Sequence, residues 1–147
     1  MKKTLMPILA AGLVALAGCE EGEKANNGQG RDNFNLHIPH PKTKEMHQGE
    51  SSEVIADVNR GCAYSVYVSG SNDGPSDRIS VYADDIKIGT YTTQSMSLGG
   101  RGWYVRQDSP SFNFTTTSDT IRLKVHIDSA DSYGTSPNRF IVSRAAE

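Results

Sequence analysis

Ile121, Leu123, Val125 and Ile127 alternate without a break with Arg122, Lys124, His126 and Asp128. Successive side chains of an extended strand point to opposite faces, so this run predicts a strand with one face buried and one in water. From Ser51 onward the chain is written in the same style, as short alternating runs separated by turn residues. Val54 to Val58, Cys62 to Ser69 and Arg78 to Ala83 are three of them, and in the third Ile79, Val81 and Ala83 share a face. Asp84-Asp85 reads as a tight turn into Ile86 to Thr93, because polar turn residues between two β-rich runs signal a hairpin. Trp103 to Gln107 follows a Gly99-Gly100-Arg101-Gly102 loop. Phe112 and Phe114 point one way from the next run, and Arg139 to Ser143 closes the series. Nothing after Cys19 has a helical period. About eight short strands over roughly 95 residues predict an all-β domain, an antiparallel β-sandwich or jelly roll. That size supports a core without disulfides.

The first nineteen residues are of another kind. Lys2 and Lys3 precede an apolar run from Leu5 to Ala15, and Leu16-Ala17-Gly18-Cys19 sets small residues before a cysteine. The apolar run is about half of the roughly 20 residues that span a bilayer. The arrangement resembles a bacterial lipoprotein signal whose lipobox ends at Cys19. The resemblance implies cleavage before Cys19, lipidation of its thiol (palmitate or a related acyl chain) and attachment to the membrane through it. One acyl chain holds a protein weakly, two or three hold it stably. Residue 20 is Glu and not Asp, which by the same resemblance favours the outer membrane in a Gram-negative envelope. The organisation expected is a signal peptide over 1–18, the lipidated cysteine and a flexible tether over 19–50, and the sandwich over 51–147.

The tether is expected from composition. Residues 20–30 are polar and glycine-rich, and cannot bury enough apolar surface to offset chain entropy. About 30 flexible residues span on the order of 30 Å. Phe34, Leu36 and Ile38 alternate within it and form a candidate short strand docking on the domain, ended by Pro39 and Pro41. His37, His40 and His47 lie there at irregular spacing and read as solvated residues, not a metal site. With residues 1–18 removed, 13 basic against 17 acidic side chains leave a charge of −4. That balance argues against nucleic acid, which needs clustered Lys and Arg. Cys62 shares the face of Tyr64, Val66 and Val68, and reads as a buried, inert thiol.

No catalytic constellation is legible. There is no Gly-x-Ser-x-Gly elbow, no His-Glu-x-x-His, no P-loop and no dinucleotide glycine pattern. Asp84 and Asp85 are adjacent, so an extended backbone would point them apart. They make a turn and not an acid–base pair. The expectation is a protein that is not an enzyme and needs no cofactor. The aromatic residues are more informative. Trp103 and Tyr104 sit beside the glycine loop, and Tyr82 and Tyr91 on the hairpin. Tyr82 is out of phase with Ile79, Val81 and Ala83, so it points away from their core. An exposed ring beside polar side chains suits a sugar, whose C–H face stacks on it. The alternative for Trp103 is the core of the sandwich.

The run Asp77 to Thr93, the Gly99 to Tyr104 segment, Ser118 to Leu123 and Asn138-Arg139-Phe140-Ile141 together resemble jelly-roll carbohydrate-binding modules. The likeness covers about Val58 to Val142. It implies a sugar site near Trp103, Tyr104 and Asn138, with Tyr82 as a further ligand-binding residue. Such modules often carry a structural calcium. Asp73, Asp77, Asp128 and Asp131 offer oxygen ligands, but no Asp-x-Asp-x-Asp-Gly loop is present, and no metal is expected. Two functions stand: an envelope lipoprotein whose sandwich binds a glycan, and a structural or protein-interaction adaptor on the same scaffold. A cleft beside an aromatic favours the first, and a free strand edge the second.

Overall fold

The computed structural model describes residues 26–41, 45–72, 75–94 and 106–145. They form the all-β antiparallel sandwich that the alternation predicts. Nine strands follow in order: β1 Asn33–His37, β2 Ser51–Asp57, β3 Ala63–Ser71, β4 Arg78–Ala83, β5 Ile86–Thr92, β6 Arg106–Asp108, β7 Phe112–Thr115, β8 Thr120–Ser129 and β9 Ser136–Arg144. No helix occurs among the described residues. Sheet one runs β1-β9-β3-β6, with β7 also paired to β3; sheet two runs β2-β8-β4-β5. Every pairing is antiparallel.

The strongest alternation occupies the middle of sheet two. Leu123 faces Val54 on one side and Ala83 on the other, and Val125 faces Ser52 and Val81. Ile121, Leu123, Val125 and Ile127 are all buried. A slip of one residue would turn that whole set to water, so burial pins the register. From sheet one, Tyr64, Val66, Val68, Phe140 and Val142 close over them. The Tyr64 ring stacks on Phe114 with centroids 5.5 Å apart. Its hydroxyl donates to the Arg31 carbonyl at 2.9 Å and accepts from the Asn59 N–H at 2.8 Å. That phenol therefore ties the N-terminal segment to the β2–β3 connection, and burial raises its pKa above the ordinary tyrosine value.

The acidic hairpin forms as expected, by a mechanism particular to aspartate. Asp84 and Asp85 both lie in the left-handed region, with φ of 49° and 68°. A two-residue hairpin whose twist matches its strands requires this, and Asp tolerates it better than most residues. Asp84 also clamps onto β8: its N–H donates to the Arg122 carbonyl at 2.8 Å and its Oδ1 accepts the Arg122 N–H at 2.9 Å.

Three expectations are corrected. The segment assigned to the tether contains β1, which pairs with β9 from Asn33 to His37. Phe34, Leu36, Ile38 and Met46 belong to the core, and Ile38 and Met46 are fully buried. The packed unit thus begins well before residue 51. The alternation of Phe34, Leu36 and Ile38 marks this strand in the sequence, but the polar run before it sets the domain boundary too late. His40 is not a solvated tether residue either: its Nε2 lies 2.9 Å from the Pro137 carbonyl. Cys62 is buried as its phase predicts, but it is disulfide-bonded and not a thiol.

Candidate functional site

At one end of the sandwich the two sheets part to leave a cleft of about 600 Å³. That volume lies within the range of small-ligand pockets. Sheet one contributes the end of β3, β6 and the start of β9; sheet two contributes the end of β5 and Ile79 of β4. Gly70 sits where β3 meets β9, at the irregularity between Ser69 and Gly70. A Cβ there would lie 2.1 Å from the Ser136 carbonyl oxygen. Only a glycine lets β9 cross this closely, and the crossing shapes the floor of the cleft.

The walls are polar with one aromatic plate. Tyr91 packs its ring at 6.4 Å from Phe112, and Phe112 in turn covers Gly89, where a Cβ would meet its ring. Burial pushes the Tyr91 phenol far above the ordinary tyrosine value, so it remains a neutral hydroxyl. At the rim the Arg106 Nε donates to Asp108 Oδ1 at 2.8 Å. That bond holds the Asp108 carboxyl below the ordinary aspartate value. The Gln107 amide grips the end of β5: its Oε1 accepts the Gln94 N–H at 3.0 Å and its Nε2 donates to the Gln94 carbonyl at 3.3 Å. Thr135 also lines the cleft. It is 1% exposed, and its hydroxyl has no hydrogen-bond partner among the described residues. A buried polar atom left unpaired is costly, and this oxygen is closed to solvent.

The described lining holds one carboxylate, one guanidinium, amides and hydroxyls, and neither histidine nor cysteine. Asp108 is already bonded to Arg106. This set can hold a polyhydroxylated ligand, but it lacks a nucleophile activated by a base. A Ser–His–Asp alignment does occur on the outer face of sheet two. Ser51 Oγ lies 2.6 Å from His126 Nδ1, but His126 Nε2 is 3.9 Å from Asp128 Oδ1, beyond hydrogen-bond reach. Asp128 instead accepts from the Ser80 hydroxyl at 2.5 Å. That group ties the face of a sheet.

The anticipated site residues are scattered. Trp103, Tyr104 and Cys19 lie outside the described residues. Tyr82 does point away from the core, onto the outer face of sheet two, where the Lys124 and Lys87 ammoniums approach its ring centroid at 4.8 and 5.9 Å. Asn138 is exposed on β9 of the other sheet, next to Pro137 of the cleft wall. Its carbonyl accepts the Ile38 N–H at 2.8 Å. Tyr82 and Asn138 therefore share no site. Arg106, Gln107 and Thr135 were not singled out from sequence; they alternate with nothing and form no motif, and only the convergence of strand ends brings them together. The acidic residues do not gather into a cation site. Asp131 donates its N–H to Asp77 Oδ1 at 3.3 Å, Asp128 turns to the outer face, and Asp73 lies outside the described residues. Among the described residues no three His, Cys, Asp or Glu side chains could hold one ion.

No protein-family model matches the chain, and no curated protein matches it. Solved structures do. The fold is similar to a family 35 carbohydrate-binding module from an environmental isolate, with a TM-score of 0.53, 17% identity, and coverage of 88% of this chain and 91% of that one. It is also similar to part of the insecticidal delta-endotoxin Cry8Ea1 of Bacillus thuringiensis, with a TM-score of 0.52, 12% identity, and coverage of 78% of this chain and 20% of the toxin. A CBM36-1 domain of a multidomain xylanase from the hindgut metagenome of Trinervitermes trinervoides gives a TM-score of 0.47 at 10% identity, covering 87% of this chain and all of that one. At these identities the likeness establishes the jelly-roll sandwich and leaves the ligand to be argued from the site.

Proposed function

We propose that this protein is a lipid-anchored, non-catalytic glycan-binding domain of a bacterial envelope. The observation that carries the glycan reading is the cleft: an aromatic wall at Tyr91 with hydrogen-bonding side chains at Arg106 and Gln107. These are the groups that a sugar ring engages, the ring stacking on an apolar plate and its hydroxyls bonding amides and hydroxyls. Trp103 supports the reading by its place in the chain. It is three residues from Arg106 at the rim, which is at most about 11 Å of extended backbone. Asn138 adjoins the wall from the other side. Binding of fragment 26–147 to an array of envelope and plant glycans tests this. Arg106→Ala and Trp103→Ala should each weaken binding about tenfold or more while leaving the fold intact. Folded wild-type protein that retains no glycan would sink the idea.

The anchor has its own test. The chain contains two cysteines, so the bridge at Cys62 belongs to the chain before lipidation, and acylation of Cys19 would return Cys62 to a thiol. Counting thiols and lipid mass on membrane-extracted protein decides between the two forms. Palmitate labelling that survives Cys19→Ser would refute the anchor. The outer membrane is the proposed location, on the Glu20 argument alone. A second reading, an adaptor that binds protein, is favoured by one observation: an open strand edge on sheet two.

A further inference from the structure

β2 lies at an edge of its sheet, and its ladder decides which backbone groups face outward. The Val58 N–H donates to the Asp119 carbonyl at 2.9 Å, and the Ile127 N–H to the Glu50 carbonyl at 2.9 Å. Antiparallel partners alternate between bonded and non-bonded pairs. Ser52, Val54 and Ala56 therefore bond β8, while Ser51, Glu53, Ile55 and Asp57 turn their N–H and C=O away from it. Asp57 bears this phase out, because the Asn26 side chain takes both of its outward groups. Asn26 Oδ1 accepts the Asp57 N–H at 2.8 Å and Nδ2 donates to the Asp57 carbonyl at 2.9 Å. Gln29 does the same to Asn35 on the edge of sheet one, at 2.8 and 2.9 Å. One turn thus plugs one position on each edge with a side-chain amide.

At Ser51, Glu53 and Ile55 nothing among the described residues takes the outward backbone groups. Their side chains are exposed as well, Ile55 to 66%. An unpaired edge with an exposed apolar side chain is a template for another strand. The charge of this edge selects the occupant. From Glu50 to Asp57 it carries Glu50, Glu53 and Asp57 and no basic residue. A second copy pairing symmetrically here sets Glu53 against Glu53 in one register and against Asp57 in another, where like charges directly opposite destabilise a pair; the register between them sets Glu53 against Ile55 and gives the carboxylate no counter-charge. Arg122 lies 3.6 Å from Glu53 but also serves Asp85 at 3.1 Å, and the Glu53 side chain stays 50% exposed.

We propose that the β2 edge from Ser51 to Ile55 is a strand-addition site for an extended basic segment of a partner protein, with a Lys or Arg beside Glu53 and an apolar side chain beside Ile55. This interaction is independent of the glycan cleft, so either can fail alone. The test uses the full chain in nonionic detergent and a capped, labelled peptide alternating lysine and valine. Anisotropy should report saturable binding, and hydrogen exchange should report new protection at the Ser51, Glu53 and Ile55 amides. N-methylation of alternate peptide amides, which removes the edge bonds and keeps the charge, should weaken binding about tenfold or more. Glu53→Lys should do the same without altering the circular dichroism. The proposal is overturned by equal binding of the N-methylated peptide, by equal binding of a glutamate–valine peptide, by protection elsewhere, by no binding, or by peptide-free dimerisation through β2.

Discussion

Cutting the chain at residue 51, where composition places the start of the domain, should abolish folding, whereas cutting it at residue 26 should not. The shorter fragment loses Phe34, Leu36, Ile38 and Met46, which are 4%, 8%, 0% and 0% exposed. Burying a large apolar side chain contributes about 1.5–3 kcal/mol, so the four together contribute about 6–12 kcal/mol. The net stability of a domain is only about 5–15 kcal/mol. Loss of β1 also strips the ladder from β9 between Arg139 and Ser143, turning a covered strand into an edge. Both fragments start after Cys19, so the comparison does not depend on that residue. Far-UV circular dichroism with urea titration reads the outcome. Fragment 26–147 should unfold in one cooperative transition and fragment 51–147 should show none. A cooperative transition of 51–147 at the same midpoint would refute the assignment of these side chains to the core.

Two further outcomes follow from single groups. Tyr64→Phe keeps the stack on Phe114 but removes the hydroxyl that serves Arg31 and Asn59. Both partners are half-buried and water can replace part of the loss, so the expected cost is about 1–2 kcal/mol, seen as a lower urea midpoint with an unchanged slope. An unchanged midpoint would mean that the phenol does not tie these segments. Asp108 offers a pH test. Its folded pKa is depressed by Arg106 below the ordinary aspartate value, so its contribution is fully present above the unfolded value and is lost as pH falls through the folded one. The stability gap between the wild type and Asp108→Asn should therefore shrink on acidification below the ordinary aspartate value. A gap that stays constant would exclude the Arg106 bond as its source.

The strands were legible because the interior of a two-sheet sandwich imposes a period of two on every strand that lines it. Residues 121–127 and 78–83 carry that period openly, and the structure buries the faces they indicate. β1 carries it too at Phe34, Leu36 and Ile38, which mark a short strand docking on the domain, but the sequence does not say that β9 is its partner. The Asp84-Asp85 turn was legible as a turn, because aspartate accepts the left-handed backbone that a two-residue hairpin needs.

The site was far less legible. Alternation tells a strand which face is buried but not which strand end lies beside which. Tyr91, Arg106, Gln107 and Thr135 are separated by as many as 44 positions, and they meet because the end of β5, β6 and the start of β9 lie at the same end of the sandwich. The free edge is also a tertiary fact. The order β2-β8-β4-β5 leaves the outer side of Ser51 to Ile55 without a strand among the described residues, and side-chain periodicity carries no trace of strand order. What the amino-acid sequence determined alone is the local part: which residues extend, which face turns inward and where the chain reverses, because these depend on backbone sterics and neighbours one to four residues away. Which ends converge into a cleft, and which backbone stays unpaired, was decided by the packing of the two sheets, since only long-range pairing brings distant residues into contact.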